Sequence, residues 1–242
     1  MHIERKSGIA IWRQIADEIR LNLSAGNMIR DNKLLTESEL ANHFGVNRHT
    51  VRAAIAALTK EGLLNTEQGR GTFVQRTNKL RYPISSRTRF SAGLEDQTHE
   101  RQMRLQGHTT EAASEDVANA LGLGLGADTL CIKTVQSADG QNVSISTSWF
   151  DAIRFEGIAQ KVDTYGSITD ALRDYEVIDY RRAYTDVEAR HGSSEILDAL
   201  GLSSGAIALI TRALNVDETD RPIQYSVTYF AADRVTLSLE SI

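Results

Sequence analysis

Cysteine is nearly missing from this chain: Cys131 is the only one in 242 residues. A lone thiol excludes an internal disulfide framework and argues against a cysteine-based metal site. Cys131 sits in an apolar run, which points to a buried thiol rather than a reactive one. Long hydrophobic stretches are missing as well. Nothing approaches ~18 consecutive apolar residues, so no membrane-spanning helix is expected. The opening "MHIERKSGIAIW" lacks the extended apolar segment of a secretory signal, and a cytoplasmic location is the expectation. No nucleophile–base arrangement or metal-ligand spacing stands out, and His99, His108 and His191 are scattered. The expectation is therefore no catalytic residue, no metal and no cofactor.

What the chain does have is 41% apolar content, enough for one large core or two modest ones. Its net charge of -5 is unevenly spread. Residues 1–79 hold twelve Lys or Arg against eight Asp or Glu, whereas residues 80–242 hold fifteen against twenty-four. A basic first part faces a polyanion more readily than an acidic second part does.

In "IAIWRQIADEIRLNL", Ile11, Ile15, Ile19 and Leu23 recur every four residues and predict a helix. Thr36 and Glu39 have capping-box spacing and start a second helix, with Leu40 and Phe44 on its apolar side and Gly45 as its stop. Asn47 caps a third, in which Val51, Ile55 and Leu58 form the buried stripe and Gly62 marks the end. Two helices joined by so short a turn form a helix-turn-helix. The second exposes Arg48, His49 and Arg52 near its start, the end that enters a major groove, and Thr50 adds a hydroxyl able to bind phosphate. "LLNTEQGRGTFV" then reads as two short strands around a turn. Gly69 and Gly71 let the backbone turn tightly, and Arg70 between them projects toward a minor groove.

The stretch from Leu34 to Val74 resembles the winged helix-turn-helix of the GntR family of bacterial transcription regulators. The family usually has Pro-Ser-Glu-Arg where this chain has Leu35, Thr36, Glu37 and Ser38. The resemblance implies DNA contacts from Thr36, Glu37 and Ser38, with Ser38 lacking the charge of the family's arginine. Arg48, Arg52, Gly69, Arg70 and Gly71 match the family pattern.

The second part carries an internal repeat. Residues 114–150 and 194–230 both contain "ALGL", then a glycine, an apolar strand, an acidic turn and a strand ending in two aromatics. Two such units predict one antiparallel sheet with short helices on a face, an α+β domain with a cleft between the halves. Ser167 is expected to cap a helix between the copies, and "DYRRAYTDVEAR" alternates as a strand. Pro83 lies in a polar, basic stretch. The expected division is a DNA-binding domain over residues 1–75, a linker over 76–83 and a second domain over 84–242. Arg81, Arg87 and Arg89 would hold an anionic ligand, extend the DNA-facing surface or pair with carboxylates.

Residues 81–242 resemble the UTRA effector domain of the HutC branch of the GntR family, most nearly in PhnF-like regulators of phosphonate metabolism. The resemblance implies a chorismate-lyase-like fold, a homodimer and a small effector held between the repeat halves. Phe90, Ser91 and Ser167 match positions that contribute there. Thr134 and Gln136 stand where many relatives carry arginines, and Ser146 and Gln224 where many carry glutamates. For an anionic effector such as a phosphonate or a phosphorylated metabolite, charge is then expected from Arg87 or Arg89 and from Arg181 or Arg182. Tyr229 is expected against its organic part. The leading expectation is a repressor on double-stranded operator DNA. The alternatives are a DNA-binding dimer with a non-sensing second domain and a chorismate-lyase-like enzyme.

Overall fold

The computed structural model describes residues 9–24, 27–67, 69–74, 79–85, 97–202 and 205–239. The chain divides into two units, residues 1–78 and 79–242.

In the first unit, α1 (Ile11–Ser24), α2 (Glu37–Phe44) and α3 (Arg48–Lys60) pack around a core in which Ile15, Ile19, Leu40, Val51 and Leu58 are fully buried. Local chemistry sets the helix ends. Thr36 and Glu39 form a reciprocal capping box at α2, and Gly45 closes that helix in the left-handed region at φ 62°. The Asn47 side chain accepts from the Thr50 N–H at the start of α3. Strands β3 (Leu64–Glu67) and β4 (Gly71–Val74) make the wing. The sequence reading missed a further hairpin, β1 (Ile29–Arg30) and β2 (Lys33–Leu34), which joins β4 through Lys33 and Phe73. Its turn residues Asp31 and Asn32 both have positive φ, as a two-residue hairpin turn demands.

The second unit is a six-stranded antiparallel sheet in the order β6-β7-β8-β11-β10-β9. Strands β6 (Arg101–Ala112), β7 (Asp128–Ala138) and β8 (Gln141–Asp151), with α4 (Glu115–Leu121), form one half. The other half repeats the order as β9 (Tyr180–His191), α7 (Ser194–Leu200), β10 (Ile207–Asp217) and β11 (Pro222–Ala231). The repeat is thus one strand longer than its sequence signature, and the cap Ser114 of α4 corresponds to Ser193 at α7. Between the halves lie α5 (Ile158–Tyr165) and α6 (Ile168–Arg173). Residues 80–83, expected as linker, belong to a strand instead. β5 (Leu80–Ile84) pairs in parallel with β12 (Val235–Leu239), and Tyr82 is buried against Phe230 and Val235.

The sheet is curled. Edge strands of a flat six-stranded sheet would lie ~24 Å apart, at roughly 4.8 Å per spacing. Here both edges reach the α5–α6 junction. A Cβ added at Gly166 would lie 3.7 Å from the Met103 carbonyl of β6, and Thr169 Oγ1 lies 2.8 Å from the Tyr180 hydroxyl of β9. The segment 166–169 spans at most ~11 Å of backbone, and Met103 of β6 and Tyr180 of β9 line one cavity and pack on one apolar cluster, so the two edges curve toward it. Phe150, Phe155, Ile158 and Leu172 fill the concavity. The opposite face packs under α4 through Trp149 and Tyr225, and under α7 through Ile145 and Tyr229.

One ion pair fastens the segment after β8 to the β10–β11 hairpin. Arg154 Nη2 lies 2.7 Å from Asp217 Oδ2. Asp217 Oδ1 also accepts from the Thr219 hydroxyl and from the backbone N–H groups of Thr219 and Arg221. Burial pushes the Asp217 carboxyl up, but Arg154 and these donors outweigh it and hold the group at about 2. A depressed carboxylate stabilises the fold above its unfolded value of 3.8, and that stability is lost as pH falls toward 2. Asp217→Asn is therefore expected to lower unfolding stability by about 2 kcal/mol at pH 7. Chemical denaturation across pH 2–7 should show the difference from wild type closing at the acid end.

Candidate functional site

The start of α3 is the exposed end of the helix-turn-helix. Arg48, His49 and Arg52 are exposed there, and the Thr50 hydroxyl donates to Asn47 Oδ1 at 2.9 Å. Glu37, at the first turn of α2, ties the two arginines together. Arg52 Nε donates to Glu37 Oε1 at 3.0 Å and its Nη2 to Oε2 at 2.8 Å, a bidentate fork. Arg48 Nη2 stands 3.6 Å from the same carboxylate. The hydrogen bonds from Arg52 hold the Glu37 carboxyl below its ordinary range, and Arg48 adds to the effect. Thr36 and Ser38 flank this cluster; the Thr36 hydroxyl is engaged in its capping box, and Ser38 is exposed. In the wing, Gly69 and Gly71 have φ of 76° and 114°, values that favour glycine. Arg70 between them is 73% exposed, pairs with Glu67 at 2.5 Å and lies over the Phe73 ring.

A cavity of about 130 Å³ opens in the second unit, between the concave face of the sheet and the α5–α6 junction. Its floor is polar. Gln136 accepts from the Ser144 hydroxyl at 2.5 Å and donates to Thr134 Oγ1 at 3.3 Å. In the other half Asn215 donates to Gln224 Oε1, and Gln224 donates to the Ser148 hydroxyl, each at 2.8 Å. Ser146 and Thr228 join the halves at 2.9 Å. Ser167 lines the cavity from the α5–α6 side while its Oγ accepts from the Asp170 N–H. Arg182 is the one charged residue among the described lining residues. Its Nε donates to Asn215 Oδ1 at 2.9 Å and its Nη1 to Thr185 Oγ1 at 3.3 Å. Burial raises the pKa of the neighbouring Tyr82 phenol, and the Arg182 guanidinium opposes that shift.

The other expected effector contacts fall elsewhere. Arg181 points away from the cavity and pairs with Asp220 at 2.5 Å, because adjacent strand residues face opposite sides. Tyr229 is corrected for the same reason. On β11, Gln224, Ser226 and Thr228 face the cavity, so Tyr229 faces the other side and packs against the α7 cluster. Arg87, Arg89, Phe90 and Ser91 lie outside the described residues. The sequence reading missed Tyr82, Met103, Tyr180 and Asn215 as lining residues. One signal was available. "SISTS" and "QYSVT" alternate small polar residues where the concave face of a sheet is ordinarily apolar.

A winged helix-turn-helix with a basic leading helix, in one chain with an α+β unit built around a polar cavity, defines a DNA-binding transcriptional regulator. The chain belongs to the GntR family of bacterial regulatory proteins: residues 12–74 match the gntR-family model and residues 96–236 match the UTRA domain. It is 46% identical over 239 residues to an HTH-type transcriptional regulator of Rhizobium meliloti (strain 1021), covering 99% of this chain and 98% of that one. It is 30% identical to the transcriptional regulator PhnF of Escherichia coli (strain K12), over 95% of this chain and 93% of that one. It is 28% identical to the transcriptional repressor NagR of Bacillus subtilis (strain 168), over 98% and 96%. The crystal structure of PhnF from Mycobacterium smegmatis shares the fold with a TM-score of 0.63 at 22% identity, over 94% of this chain and 99% of that one. Membership of this family makes the chain a regulator and not a chorismate-lyase-like enzyme. No helix among the described residues is long and apolar enough to cross a membrane.

The Glu37 carboxylate offsets one of the two positive charges it touches. Glu37→Gln is expected to tighten binding to random-sequence duplex several-fold at low salt, and to steepen the salt dependence by roughly one unit of log–log slope. Anisotropy titrations at several salt concentrations check both.

Proposed function

We propose that the chain is a transcriptional repressor that binds a palindromic operator as a homodimer in the cytoplasm and lets go when a small anion enters the cavity of the second unit. The anion is a phosphonate or a phosphorylated metabolite. The observation that carries this reading is Arg182, a half-buried guanidinium whose partners among the described residues are neutral oxygens. Arg154, Arg173, Arg181 and Arg212 of the same unit each sit on a carboxylate instead. A cation of this kind at a cavity wall attracts an anion, and its planar fork suits phosphoryl oxygens. Ser167 supplies a hydroxyl from the α5–α6 side. The likeness to PhnF supports the phosphonate class, and the likeness to the repressor NagR supports repression.

Arg48, His49 and Arg52 would enter the major groove and Arg70 the adjacent minor groove, with Thr36, Ser38 and Thr50 near the phosphates. The carboxylates now holding the arginines are no obstacle. Exposed ion pairs are worth about 0–1 kcal/mol, so DNA phosphates displace them cheaply. Release requires that the effector bind better to the state with weak operator affinity.

A duplex selected from random sequence by the full chain serves as the probe, read by anisotropy. Arg48→Ala and Arg52→Ala should each weaken binding while the chain stays folded. Loss of a phosphate contact lowers the salt slope by roughly one, and loss of a base contact costs about 1–3 kcal/mol of discrimination at one position. Arg70→Ala should lose most on duplexes with A·T pairs beside the major-groove contacts. A panel of phosphonates and phosphorylated metabolites should contain a compound that releases the duplex. Unchanged titrations for all three variants would remove this surface from the interface, and a panel without effect would remove the anion-sensing reading.

A further inference from the structure

The internal repeat makes the cavity nearly symmetric, which exposes the position where symmetry fails. Gln136 pairs in register with Ser144 on β8, and Asn215 pairs with Gln224 on β11; both pairs are hydrogen-bonded side chain to side chain. One strand further out, Met103 of β6 lies opposite Gln136, and Arg182 of β9 lies opposite Asn215. Met103 and Arg182 therefore occupy equivalent places in the two halves, and both line the cavity. One is a thioether packed, with Ile168, against the apolar cluster of Phe150 and Leu172. The other is a guanidinium beside the Tyr82 phenol. Arg101, two residues before Met103 on the same strand, is not among the lining residues. The floor between the two ends carries amides and hydroxyls, and no carboxylate lines the cavity among the described residues.

We infer that the cavity takes a one-headed organic anion in a single orientation, its acidic group on Arg182 and its uncharged end against Met103 and Ile168. This rests on the anion-sensing reading above and narrows it. A symmetric floor with two cationic ends would accept a ligand acidic at both ends. With Met103 at one end, a second acidic group would be stripped of water against a thioether and an aliphatic side chain, with no second cation among the described lining residues to receive it. A methylene chain loses nothing there and gains contact. The single orientation follows, because turning the molecule round places its acidic head on Met103 and its tail on Arg182.

The test uses the full chain and calorimetry with methylphosphonate, propylphosphonate and propane-1,3-diyl bisphosphonate, with butyrate as the carboxylate-headed comparison. Affinity is expected to rise from methyl- to propylphosphonate, by about fourfold for each methylene buried. The bisphosphonate should bind wild type at least tenfold more weakly than propylphosphonate. Arg182→Met should abolish the binding of every monophosphonate, and Met103→Arg should invert the preference so that the bisphosphonate binds better. Met103→Leu should keep the wild-type order. A bisphosphonate that binds wild type as tightly as propylphosphonate overturns the inference, whether or not either variant folds. So does the absence of binding by every probe, and so does a preference unchanged in a folded Met103→Arg chain. Butyrate binding in the same order of dependence on Arg182 assigns the site to acidic heads in general; butyrate binding unaffected by Arg182→Met overturns the head-group assignment. Duplex release is followed on the same samples. Propylphosphonate that binds with the expected preference yet leaves the duplex bound sinks the anion-sensing reading and leaves the polarity of the site standing.

Discussion

The antiparallel pairing of β8 with β11 is the constraint on which the second unit depends. It runs in register from Ser144 opposite Phe230 to Trp149 opposite Tyr225 and joins the two repeat halves into one sheet. Side chains alternate along both strands, so this one register sends Ser146, Ser148, Ser226 and Thr228 to the cavity face. It sends Ile145, Trp149, Tyr225 and Tyr229 beneath α4 and α7. A slip of one residue would exchange the two sets and place aromatic rings in the cavity. The curl that brings both edge strands to the α5–α6 junction then closes the polar face over.

A polar floor inside a folded unit costs free energy unless its groups find partners. Here they do. Gln136 with Ser144 and Thr134, Asn215 with Gln224, Gln224 with Ser148, and Ser146 with Thr228 satisfy one another. The charge of Arg182 is of a different kind, since neutral oxygens solvate a guanidinium without cancelling it. The first unit uses arginine in the opposite way. Arg48, Arg52 and Arg70 are exposed and rest on Glu37 and Glu67. Such exposed pairs are weak in water. Exposure thus separates arginines resting on surface carboxylates from one held by neutral oxygens at a cavity wall.

Much of this was legible in the sequence because it rests on local chemistry. The Thr36–Glu39 box, the Asn47 cap, the Gly45 stop and the glycines around Arg70 each act within a few residues of themselves. The repeat was legible through its helix-strand-hairpin order, although its first strand in each half was not part of the signature. β6 was missed because it is an edge strand whose outer residues are exposed, so "RQMRLQGHTTEA" carries little apolar alternation. Residues 80–83 of β5 fall in the expected linker, 76–83, because the partner strand β12 lies at the far end of the chain and leaves no local signal. Tyr229 was misplaced although parity along β11 was sufficient to place it: it lies an odd number of residues from Gln224, and so on the other face. The equivalence of Met103 and Arg182 required the observed register on both edges.

If the cavity governs the grip on DNA, the coupling must be reciprocal: a ligand that weakens the operator complex is itself bound more weakly by the complex, and by the same factor. The direct measurement is calorimetry of propylphosphonate with the full chain, once alone and once saturated with its selected duplex, beside duplex affinity with and without the ligand. The account predicts that the duplex lowers ligand affinity by the factor by which the ligand lowers duplex affinity. Equal ligand affinities in the presence and absence of duplex would contradict it.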